Sequence, residues 1–91
     1  MVKIDINVMR NIQKKMVRML KNKGKFGGAH TEVKHLKNCV PKHLRGAKVV
    51  DEAISNLFKR GILINKKSTG QLHCSLDSSK LLEIGEIEQH P

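Results

Sequence analysis

The stretch that decides the fold is residues 42–76, KHLRGAKVVDEAISNLFKRGILINKKSTGQLHCSL. Within it Val50, Ala53, Ile54, Leu57 and Phe58 recur at intervals of three and four, the period of an α-helix with one buried face. That pattern predicts a helix over Arg45–Arg60, with Gly46 a poor helix residue near its start and Gly61 placed to let the chain reverse at its end. Ile62–Ile64 is β-rich, and Leu72, Cys74 and Leu76 alternate with His73 and Ser75 as a half-buried strand should. Lys66-Lys67-Ser68-Thr69-Gly70 then reads as the turn of a hairpin.

Toward the N-terminus, Met9, Ile12, Met16, Met19 and Leu20 mark a first helix over about Val8–Leu20, with Asp5 or Asn7 able to cap it. Its opposite side carries Arg10, Lys14, Arg18 and Lys21. Asn22, Gly24, Gly27 and Gly28 break the pattern, and Phe26 among them is expected to plug into the core, with room for a very short strand. Thr31 is expected to cap a second helix through Val33, Leu36 and Val40, which Pro41 stops. After the hairpin, Asp77 caps a last helix from Ser78 to about Glu88.

The resulting order is helix, possible short strand, helix, helix, strand, strand, helix. This α+β order, over residues 8–76, resembles the winged-helix variant of the helix-turn-helix, and small archaeal-type winged-helix proteins in particular. The junction Leu57-Phe58-Lys59-Arg60-Gly61-Ile62-Leu63 resembles that family's passage from recognition helix to wing. The resemblance implies a single domain over 1–91, a recognition helix at 45–60, a wing tip at 66–70 and a C-terminal helix at 77–88. It implies a non-enzymatic binder of duplex DNA, most simply a transcriptional regulator.

Charge points the same way. Lys and Arg number 18 against 8 Asp and Glu, a net of +10. Four of the acids (Asp77, Glu83, Glu86, Glu88) fall in the last fifteen residues, so residues 1–76 hold 17 basic against 4 acidic side chains. Such a footprint suits a polyanion, and equally a merely solvated basic surface. No apolar run approaches the roughly 20 residues of a membrane span, and two cysteines 35 positions apart make no disulfide framework. A cytoplasmic protein with two free thiols is expected.

The side of the 45–60 helix opposite its apolar stripe would present Arg45, Lys48, Ser55, Asn56 and Lys59, with Lys42 and His43 close to its start. Arginine suits guanine edges, and Asn and Ser can bond bases or phosphates. Glu52 could accept from cytosine, or simply pair with Lys48 four residues away. At the wing, Lys66, Lys67, Ser68 and Thr69 suit phosphate or minor-groove contact, although lysines there also discourage edge pairing.

Other chemistries find less support. His35, Cys39 and His43 stand four apart, but Pro41 interrupts the helix that would align them, so no metal or cofactor is expected. No phosphate-cradling glycine motif and no nucleophile–base array is evident, so no enzyme is expected. The alternative is structured RNA or a docked protein partner, since fold does not fix function. Both aromatics are phenylalanines read as core, which leaves no platform for stacking single-stranded bases. Leu81, Leu82, Ile84 and Ile87 exceed what one core-facing stripe needs, and a homodimer through them is the companion expectation.

Overall fold

A computed structural model of the chain describes residues 5–68 and 70–89, without the side chains of 67 and 68. The order is α1 (Ile6–Asn22), β1 (Thr31–Glu32), a 3-10 stretch (Val33–Cys39), a short 3-10 turn (Lys42–Leu44), α2 (Lys48–Lys59), β2 (Leu63–Ser68), β3 (Gln71–Leu76), a 3-10 turn (Ser78–Lys80) and α3 (Leu81–Glu88). The fold is α+β: helices cover an antiparallel three-stranded sheet ordered β1-β3-β2. No described helix is long and apolar enough to cross a membrane.

Asp5 opens α1, its Oδ1 accepting the Asn7 amide at 2.9 Å. The helix then buries Ile12, Met16, Val17 and Leu20 against α2 (Val50, Ala53, Ile54, Leu57), the strands (Ile62, Leu63, Cys74, Leu76) and α3 (Ile84, Ile87). Met9, Met19 and Phe26 pack at the margin of this core. The α2 helix ends as its sequence foretells. Gly61 takes φ +75°, its amide donates to the Phe58 carbonyl at 3.1 Å, and the Ile62 amide reaches back to Leu57 at 3.0 Å. This paired closure needs a residue that tolerates positive φ, which is why glycine sits there.

Several expectations require correction. Thr31 does not cap a helix: Thr31 and Glu32 pair with Cys74 and His73 as β1, and residues 33–39 coil into the tighter 3-10 form. The hairpin therefore acquires a third strand. Near Phe26 there is only a single parallel bridge to Leu76. The helix expected from Arg45 begins at Lys48, because Leu44 and Ala47 are joined by a turn (Ala47 N to Leu44 O, 2.9 Å) and Gly46 does not extend the helix backward.

The hairpin turn is also shorter than the five residues 66–70. Ser68 already pairs with Gln71, and Gly70 before it has φ +72°; Thr69 lies outside the described residues. Two-residue hairpins favour turns with positive φ, and here they draw Lys66 and Lys67 into the ladder opposite His73 and Leu72. Finally, Ile84 and Ile87 are 1% and 7% exposed, spent on the chain's own core, whereas Leu81 and Leu82 are 58% and 75% exposed. Only the last two are left for a second copy. Asp77 does cap this region, accepting from the Ser79 hydroxyl and amide, which holds its carboxyl below the usual range.

Candidate nucleic-acid interface

The outer side of α2 is set by which positions the core consumes. With Val50, Ala53, Ile54 and Leu57 turned inward, Lys48, Glu52, Ser55 and Lys59 form the exposed stripe opposite. Lys48 and Lys59 stand eleven residues apart, about 16 Å along the axis. Ala47 gives the helix start no side-chain cap, and Lys42 and His43 stand exposed on the 3-10 turn just before it. Lys48 and Glu52 form no ion pair, so among the described residues Lys42, Lys48 and Lys59 all lack a carboxylate partner. Other lysines are neutralised: Lys21 by Glu88 (3.0 Å), Lys34 by Glu32 (3.1 Å) and Lys37 by Asp51 (3.0 Å). The Lys34 ammonium is the main reason the Glu32 carboxyl lies below its ordinary pKa.

Two expected contact residues sit elsewhere. Arg45 is half-buried, and its Nε donates to the carbonyls of Lys37 (3.0 Å) and Val40 (3.2 Å). It braces the end of the 3-10 stretch where Pro41 prevents continuation. Arg45→Ala should therefore lower unfolding free energy by about 1–2 kcal/mol, read as an earlier urea midpoint. An unchanged midpoint would show that the brace carries no stability. Asn56 is turned toward α1: its Oδ1 accepts from Gln13 Nε2 at 3.0 Å, and that same nitrogen donates to the Ala53 carbonyl at 3.0 Å.

Lys66 lies half-buried on the sheet face that also holds its partner His73 and, one strand further, Glu32. Lys67 and Ser68 belong to β2, but their side chains, like all of Thr69, fall outside the described residues. On this face His30 and His73 bring their Nδ1 atoms to 2.8 Å, with rings at 78°. Sequence reasoning gave His30 no role, and no local pattern could, because the contact depends on the register that sets β1 beside β3.

Among the described residues no group of three or more His, Cys, Asp or Glu is arranged to hold a metal ion. Cys74 is buried in the core, and burial pushes its thiol up to about 11, so it stays protonated at neutral pH. Cys39 donates its Sγ–H to the Leu36 carbonyl. Compared with known proteins, the chain matches no family model, no curated protein and no solved structure.

Proposed function

We propose that this chain is a winged-helix module that binds duplex DNA, with α2 lying in the major groove and the β2–β3 hairpin along the backbone, and that it serves as a regulator rather than a catalyst. The observation that carries the reading is the exposed stripe of α2. Its two end lysines have no carboxylate partners among the described residues, and Lys42 and His43 lie at its uncapped start. Cations and open amides at that end suit phosphate, while Ser55 and Glu52 between the lysines can meet base edges. The element order, with β1 paired to β3 beside the hairpin, supports the winged-helix reading. Arg45 and Asn56, held by backbone and by Gln13, are not assigned contacts.

Both phenylalanines, Phe26 and Phe58, pack against the core, so neither is presented as a platform on which single-stranded bases would stack. Structured RNA shares the phosphate chemistry and is the rival outcome of the test. An amide-shift titration with random duplex DNA, duplex RNA and single strands separates them. Shifts concentrated at residues 42–59 and along the hairpin, with duplex DNA the tightest ligand, are expected. Strongest shifts with duplex RNA, or shifts spread evenly over α1 and α3, would overturn the reading.

A further inference from the structure

A groove of about 460 Å³ opens between the first half of α1, the end of α2 and the last turn of α3, lined by none of the residues of the α2 stripe. Its volume falls within the roughly 300–1,000 Å³ of small-molecule sites. Three of the polar side chains lining it, Arg10, Arg60 and Asn56, offer donors, beside Gln13 and the acid Glu86. Arg10 and Arg60 come from two different helices, and neither has an ion-pair partner among the described residues. The third donor follows from a chain of fixed bonds. Gln13, 1% exposed, must turn its nitrogen to the Ala53 carbonyl; that nitrogen also donates to Asn56, which must therefore answer with its oxygen. Asn56 Nδ2 is left turned outward, with no acceptor on the chain among the described residues.

Ile6, Met9 and Ile87 supply apolar wall beside these donors, Ile6 still 53% exposed. Glu86 is the one acid at the groove. Two guanidiniums against one carboxylate leave room for a single added negative charge. Arginine and an amide donor match a planar carboxylate, and the apolar wall matches a hydrocarbon body. A bare inorganic anion would leave that wall wet.

We propose that this groove is a binding site for a small organic monocarboxylate with an apolar body, held by Arg10, Arg60 and Asn56 Nδ2. Because it shares no residue with the α2 stripe, it stands or falls independently of DNA binding.

An amide-shift titration of the whole chain with 4-phenylbutyrate, its neutral amide and inorganic phosphate tests it. The carboxylate should move the amides of residues 6–13, Asn56, Arg60 and 86–87, and the neutral amide should bind at least about tenfold more weakly, the loss expected when a charge-assisted pair is removed. Arg60→Gln and Asn56→Leu should each weaken the carboxylate by about fivefold or more, while Arg18→Gln, elsewhere on α1, should not. Equal binding of acid and amide, a saturating response to phosphate at Ile6 and Met9, or indifference to both groove variants would overturn the proposal. An unchanged spectrum of the Arg60→Gln variant outside the groove confirms that it folds.

Discussion

Replacing Lys48 and Lys59 together by glutamate should weaken duplex DNA binding by about a hundredfold at moderate salt. Two unit charges at contact distance in water interact by about 1 kcal/mol, so reversing one swings a phosphate contact by up to about 2 kcal/mol before screening. Two such sites give roughly the 2.7 kcal/mol that a hundredfold represents. The slope of log K against log salt should also become shallower by about 2, because each phosphate released contributes about 0.9. The variant should remain folded, since both side chains are exposed and have no partner to lose among the described residues. A glutamate at the helix start helps the helix dipole about as much as one at its end harms it. The control is Lys15→Glu with Arg18→Glu, exposed on α1. Equal loss in both pairs would mean that net charge, not a docked helix, holds the DNA.

That prediction rests on residues the sequence made visible and on a selection it could not make. The long helices were legible because their apolar positions repeat at helical spacing over several turns, and Asp5, Gly61 and Asp77 punctuate them with local chemistry. The hairpin strands were legible as β-rich runs, but the expected alternation does not hold along β3: Leu72 is 46% exposed, while Ser75 is buried beside Cys74 and Leu76. By contrast, β1 is two residues long, too short for any period, and exists only because Cys74 and His73 lie opposite. The 3-10 form of residues 33–39 leaves the spacing of Val33, Leu36 and Val40 nearly unchanged, so it cannot be told from an α-helix by pattern.

The candidate contacts divided the same way. Lys48, Ser55 and Lys59 stayed on the outer stripe because the wheel around Val50 and Leu57 requires it. Arg45 and Asn56 left it because distant groups claimed them: two carbonyls across Pro41, and a glutamine 43 positions away. Gln13 is the least legible residue of all. A polar side chain just beside the apolar stripe of α1 looks solvated, yet it is buried where α1 meets α2. Only its partners make that burial tolerable, since an unpaired buried amide would cost about 1–3 kcal/mol.

The largest stability effect should come from Leu57→Ala, which is expected to cost about 3–4 kcal/mol. Leu57 is fully buried, it lies in the stretch of α2 that joins helix core to sheet, and its carbonyl receives the Ile62 amide that turns the chain into the hairpin. The backbone bond survives the substitution, so the loss is that of the side chain: the transfer of its methyl groups from water plus the cavity they leave. A folded chain of 91 residues has roughly 5–14 kcal/mol of stability, by the usual allowance per residue. The variant should therefore lose between about a fifth and four-fifths of its urea midpoint, with an unchanged m-value. Leu82→Ala supplies the contrast: at 75% exposure it should change stability by less than about 0.5 kcal/mol. Urea unfolding of the two variants side by side decides the matter. If Leu82→Ala proved as costly as Leu57→Ala, the exposed leucines of α3 would be buried in solution by a second copy, and the protein's stability would then rise with its concentration.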